Sequence, residues 1–139
     1  MSVPTTAIYT GSLNCDAVHT DSGATLRTTA PKDNEGDGTS FSPTDLVGVA
    51  LGTCMLTTMG IVARREGWSI DGADVRTDKH MTASGPRRIE RLVCHITLPS
   101  SLDDEQVAKL TRVAEACPVK KSLHPDTAVE VTVERNGEV

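Results

Sequence analysis

Hydrophobic positions along the chain change period several times. Leu13, Cys15 and Ala17 alternate with Asn14, Asp16 and Val18, and Ala24 and Leu26 alternate with Thr25 and Arg27. This period of two, interrupted by Asp21-Ser22-Gly23, predicts a hairpin with one buried face. From Leu46 to Ala63 the pattern changes to an uncharged run that is apolar on nearly every side, with Cys54 at its middle. Ser42 as N-cap, Pro43 at the first helical position and Asp45 in the first turn open a helix there. Arg64, Arg65 and then Gly67 close it, so the helix is predicted over residues 43–66.

Period two returns after Gly67. Trp68 and Ile70 alternate with Ser69 and Asp71, Gly72-Ala73 breaks the phase and Val75 resumes it, which predicts a bulged strand. The segment Lys79 to Arg88 is predicted as a turn. Leu92, Cys94, Ile96 and Leu98 form a clearer strand that ends at Pro99. Ser101 and Asp104 resemble a capping box, and Val107, Leu110, Val113 and Cys117 recur at spacings of three and four, as in an amphipathic helix over 102–116. Pro118 starts a short second helical turn to Leu123. Val129, Val131 and Val133 alternate with Glu130, Thr132 and Glu134 as an edge-like strand. The order is β-β-α-β-β-α-β, an α+β class with mostly antiparallel pairing.

The uncharged run is long enough for a membrane-span candidate. Gly48, Gly52 and Gly60, three threonines and flanking amphipathic segments that need a core favour a buried central helix instead. The polar, glycine-rich stretch from Pro31 to Ser42 is a loop, either a connector or a lid over the helix that follows.

Composition narrows the function. At 139 residues the chain fits a single domain, residues 1–139. Its aromatics are Tyr9, Phe41 and Trp68, so the core is aliphatic, and a core shared in a homodimer would add buried area. A net charge of −5 without basic clusters excludes ordinary nucleic-acid binding. The N-terminus shows no basic start or apolar stretch of a secretory signal, and a cytoplasmic location is expected.

Cys15, Cys54, Cys94 and Cys117 show no C-x-x-C pair, so neither a zinc knuckle nor a thioredoxin-type motif is present. Cys15 and Cys94 lie on apolar strand faces, where core packing is the simplest reading. Cys15 and His19 lack further ligands for a metal, and no cofactor is called for. Cys54 in apolar surroundings reads either as a small core hydrophobe or as a reactive thiol. Cys117, before Pro118 and near Lys120 and Lys121, reads either as a buried helix-end cysteine or as a reactive thiol, since backbone N–H groups there favour a thiolate. Asp45, Arg27, Arg87 and Arg88 are the charged residues available to tune Cys54.

Three stretches carry a family resemblance: Ser42-Pro43-Thr44-Asp45-Leu46, Ala50-Leu51-Gly52-Thr53-Cys54 and Cys117-Pro118-Val119-Lys120-Lys121-Ser122-Leu123. With Thr28-Thr29-Ala30-Pro31-Lys32 before the glycine-rich loop, the chain resembles the OsmC/Ohr family, in its less typical OsmC-like branch. The resemblance implies an intertwined homodimer with central buried helices packed across a two-fold axis, where the three glycines would let two helices approach.

It also implies a peroxidase acting on organic hydroperoxides in oxidative stress, with Cys54 as peroxidatic and Cys117 as resolving thiol. The resulting Cys54-Cys117 disulfide would be reset by a dithiol reductant such as a lipoyl group, with no nucleic acid or membrane as partner. Family members carry a glutamate directly after the helix-starting proline, where this chain has Thr44, and no arginine matches the one that glutamate holds. The alternative is a non-peroxidatic thiol protein or small-molecule-binding module on the same fold.

Overall fold

The computed structural model describes residues 1–137 and divides into two compact units, Met1–Leu46 and Val47–Val139. Together they hold two three-stranded sheets plus helices, the α+β class.

In the N-terminal unit, strands β1 (Thr5–Gly11), β2 (Asn14–His19) and β3 (Thr25–Thr29) form an antiparallel sheet in that order. The predicted hairpin is β2–β3, with Ala17 opposite Leu26 and Asp16 opposite Arg27. Strand β1 was not expected. It carries no clear alternation, and the turn that joins it to β2 places Ser12 and Leu13, not Asn or Gly, at its two left-handed central positions, φ 54° and 62°.

The loop after β3 is tied down locally. Asp37 Oδ1 accepts from the Thr39 amide at 3.1 Å and its hydroxyl at 2.8 Å. Thr29 N donates to Phe41 O at 3.0 Å. A Cβ at Gly36 would collide with the Ala30 carbonyl, so the chain folds tightly back on itself there. These contacts fit a structured connector better than a lid.

Helix α1 runs over Pro43–Glu66, as the caps predict. Its start is a reciprocal capping box: Ser42 Oγ accepts from Asp45 N at 3.0 Å, and the Asp45 carboxylate accepts from Ser42 N at 2.9 Å. Its end is a Schellman motif, with Trp68 N donating to Ala63 O, Gly67 N donating to Arg64 O, and Gly67 at φ 78°.

That motif also corrects the strand expected at Trp68–Val75. Trp68 is used to finish the helix, Ala73 N closes a turn onto Ile70 O, and strand β4 begins only at Asp74, running to Met81. The turn expected from Lys79 shrinks accordingly. Lys79, His80 and Met81 stay in β4 because β5 (Ile89–Leu98) is long enough to pair with them.

In the C-terminal unit the sheet order is β4-β5-β6, with β6 at Ala128–Arg135. β4 and β5 are antiparallel, whereas β5 and β6 run parallel, so pairing in the two sheets is mostly antiparallel, as expected. A parallel neighbour needs a crossover, and helices α2 (Asp104–Glu115) and α3 (Pro118–Ser122) supply it. The α2 capping box is Asp103 with Gln106, not Ser101 with Asp104. Gln106 N donates to Asp103 Oδ1, and Asp103 N donates to Gln106 Oε1, each at 2.8 Å.

The hydrophobic core lies in this unit. Leu51, Met55, Met59 and Ala63 of α1 meet Leu92, Cys94, Ile96 and Leu98 of β5 and Leu110 and Ala114 of α2. Burying each large side chain contributes about 1.5–3 kcal/mol. α1 is long and apolar enough to cross a membrane by length and composition, yet its Leu51–Ala63 stripe is a core face.

Its burial is one-sided. Val49, Thr53, Thr57 and Ile61, spaced by four, are exposed. Two glycines of α1 let strands approach within the chain: a Cβ at Gly52 would lie 2.8 Å from Thr77 Oγ1 and 3.0 Å from Val75, and one at Gly48 would meet Thr77 and Leu92.

Candidate thiol site

The C-terminal unit brings two of the four thiols together. Cys54 projects from the middle of α1, and Cys117 is the N-cap residue between α2 and α3. Pro118 creates that cap: it cannot continue α2 through a backbone donor, but its fixed φ suits the first position of a new helix. The Cys117 side chain then takes the place usually held by a serine or aspartate oxygen and accepts from Lys120 N at 3.4 Å. A second backbone donor, Val119 N–H, also reaches its sulfur.

The Cys54 and Cys117 thiols are neighbours, close enough for Cys54 to act on the charge of Cys117. All four cysteines are free thiols. Cys117 has no exposed surface, while Cys54 is half-buried. Burial pushes the Cys117 thiol up from its ordinary pKa, the backbone donation from Lys120 opposes that shift, and the neighbouring Cys54 reinforces it. The Lys120 ammonium is engaged with Glu115, so its contribution to Cys117 comes through its main chain. Two neighbouring sulfurs, one reachable and one enclosed, can cycle between dithiol and disulfide.

The remaining candidates go elsewhere. Cys94 is fully buried in β5, 3.6 Å from Thr77 Oγ1, and burial raises its pKa, as expected of a core thiol. Cys15, read as a core residue, is only half-buried in β2, because the N-terminal sheet contributes no apolar side chain to the core. His19 Nδ1 pairs with Ser22 Oγ at 2.7 Å within its own turn.

Among the charged residues considered as tuners, Arg27 forms a two-pronged pair with Asp16 at 2.7 and 3.1 Å and holds that carboxyl below its ordinary pKa. Asp45 serves the cap of α1, and Arg88 donates to the carbonyls of Ile89 and Asp126. The sequence signal for the Asp45 role was Ser-x-x-Asp itself, which reads as a capping box before it reads as anything catalytic. Thr58 Oγ1, one turn beyond Cys54, donates to the Cys54 carbonyl at 2.7 Å and so acts on the main chain.

Known proteins resemble this chain in sequence and in fold. The family described as OsmC-like protein matches residues 36–134, which include both cysteines. A candidate osmotic stress induced and detoxification response protein from Psychrobacter arcticus 273-4 is 39% identical, with 94% of each chain covered and a TM-score of 0.88. An organic hydroperoxide resistance protein OsmC from Legionella pneumophila is 18% identical, with 96% of this chain and 97% of that chain covered and a TM-score of 0.76. The organic hydroperoxide resistance protein OhrB of Bacillus subtilis is 17% identical over 96% and 98% of the two chains, with a TM-score of 0.72. A search of curated proteins returned no match. The last two structures share the fold, whereas the first two matches also share sequence across most of the chain, and on that ground the chain belongs to the OsmC-like family.

Proposed function

We propose that the protein is a thiol-dependent peroxidase that reduces organic hydroperoxides. The observation that carries this reading is the proximity of a half-buried Cys54 to an enclosed Cys117. In the proposed cycle the Cys54 thiolate attacks the terminal peroxide oxygen, the O–O bond breaks, and an alcohol leaves as Cys54 becomes a sulfenic acid. The Cys117 sulfur then attacks the Cys54 sulfur, hydroxide leaves as water, and a Cys54-Cys117 disulfide forms. A dithiol, with a lipoyl group as the candidate, returns both residues to thiols.

The reading treats residues 1–139 as one functional domain in the cytoplasm, where a reducing environment keeps the thiols available. It also treats the protein as a homodimer. The regular stripe of Val49, Thr53, Thr57 and Ile61 on α1 is an apolar face without a partner in the single chain, and Ile8 and Tyr9 of β1 are 65% and 63% exposed.

The test is loss of an organic hydroperoxide in the presence of dihydrolipoamide. Cys54→Ser is expected to lower the rate by at least about a hundredfold, as loss of a covalent nucleophile does. Cys117→Ser is expected to keep one turnover and lose the following ones. Full activity in Cys54→Ser would refute the assignment.

One feature favours a second reading, a thiol protein or small-molecule-binding module without peroxidase activity: Thr44 stands where family members place a glutamate. Titrating Cys54 with a thiol-reactive probe separates the two. A pKa well below the roughly 8.5 of free cysteine supports the enzyme, and a higher one supports the binding module.

A further inference from the structure

We infer that reduction of the Cys54-Cys117 disulfide has one direction: the reductant thiolate attacks Cys54, and Cys117 is the leaving thiol. The inference rests on the peroxidase reading and deepens it by assigning each sulfur a role in the return half of the cycle. Its first support is access. Substitution at a disulfide sulfur needs the attacking, central and leaving sulfurs nearly in line, so the central sulfur must be reachable from outside. Cys117 has no exposed surface in the single chain, and a second copy of the chain could only cover it further. Cys54 keeps exposed surface in the single chain and lies beside the Val49-Thr53-Thr57-Ile61 stripe, not on it, so it is the sulfur of the pair open to approach.

The second support lies around the leaving group. A departing thiolate leaves faster when its charge is stabilised. At Cys117 the sulfur already accepts from the Lys120 amide at 3.4 Å and from the Val119 amide, so donors are in place before the bond breaks. The main chain holds these donors: Lys121 N donates to Cys117 O at 3.2 Å, and Glu115 pairs with the Lys120 side chain. Burial outweighs these donors and raises the Cys117 pKa, which slows the departure that the donors assist, but it also drives the released thiolate to take a proton, and a protonated Cys117 cannot re-form the disulfide at once.

The electrons balance as follows. The reductant thiolate forms a new S–S bond to Cys54 while the Cys54-Cys117 bond breaks, and its electron pair stays on Cys117, which is then protonated. The second thiol of the dithiol, as its thiolate, attacks the reductant sulfur of the mixed disulfide, closes the oxidised reductant and releases the Cys54 thiolate. One dithiol is oxidised for each protein disulfide reduced.

The protein, oxidised to its intramolecular disulfide with diamide, is mixed with a monothiol, quenched with acid within the first turnover, labelled with maleimide after denaturation at neutral pH, and mapped by peptide mass spectrometry. The expected product carries the monothiol on Cys54 and maleimide on Cys117. The monothiol on Cys117, or no Cys54-Cys117 disulfide at all, overturns the inference. Because diamide and not a peroxide makes the disulfide, the outcome is separate from that of the peroxidase assay: a protein inert toward hydroperoxide whose disulfide opens at Cys54 would refute the proposed activity and leave the direction standing.

An aromatic disulfide probe gives an independent reading on the single-thiol variants. Cys54 in Cys117→Ser is expected to react at least about tenfold faster than Cys117 in Cys54→Ser. Equal rates would remove the access argument.

Discussion

Gly52 shows how one position ties the α1 helix to the sheet beneath it. A Cβ there would stand 2.8 Å from Thr77 Oγ1, and that hydroxyl is also the neighbour of the buried Cys94 sulfur at 3.6 Å. Gly52→Ala is expected to destabilise the fold by about 1–3 kcal/mol, the usual cost of overpacking, despite the better helix propensity of alanine. Urea denaturation measures it, and an unchanged or higher midpoint would show that Thr77 yields freely. Cys94 carries a pH signature. Its folded pKa is raised by burial, so its contribution to stability is complete below the unfolded thiol value of about 8.5 and is lost as pH rises through the folded value. Stability of the reduced protein should therefore decline above about pH 8.5, and Cys94→Ala should flatten part of that decline. A slope identical in the two proteins would assign it to other groups. At this scale the sequence was informative about Cys94, whose alternation with His95 and Val93 marked a core face. It misled about Cys15, because alternation identifies the apolar side of a strand but not whether anything covers it.

Among the elements, α1 was the most legible, since both of its ends are written in local chemistry: Ser-Pro-x-Asp at one and Arg-Arg-Glu-Gly at the other. Strands were less so. The Trp68–Ile70 segment alternates like a strand, yet the Schellman motif claims Trp68 N for Ala63 O and leaves no room for pairing. β1 was hidden because its turn uses Ser12 and Leu13 in a left-handed conformation that favours Asn and Gly. That turn stores strain of about 1 kcal/mol or more at each of the two residues. Leu13→Gly should thus stabilise the protein by about 1 kcal/mol, read at fixed concentration as a rise in urea midpoint with an unchanged slope. A fall instead would mean that the leucine side chain contributes more by its contacts than its backbone costs.

At the scale of the whole molecule, much apolar surface stands exposed in the single chain. Core residues come from the C-terminal unit, while Ile8, Tyr9, Val18 and Leu26 of the N-terminal sheet and Val49 and Ile61 of α1 remain exposed. If the proposed homodimer forms, light scattering at micromolar concentration gives twice the chain mass, and Val49→Lys with Ile61→Lys shifts it toward the single chain. A mass of one chain for the wild type would leave these faces to another partner.

The sequence alone determined the local features: the ends of α1, the β2–β3 hairpin, the β5 face, the new helical turn at Pro118 and the α+β class. Each depends on periodicity or on capping groups a few residues apart, which the chain carries with it. Tertiary structure decided the rest. It paired β6 parallel to β5, turned Gly48 and Gly52 toward β4 and β5, and committed Asp45 and Arg27 to neighbours in their own unit. Above all it placed the Cys117 sulfur against Cys54 with two backbone donors behind it. Contacts between residues distant in sequence depend on how helices and strands pack, and no local pattern of polar and apolar positions encodes that distance.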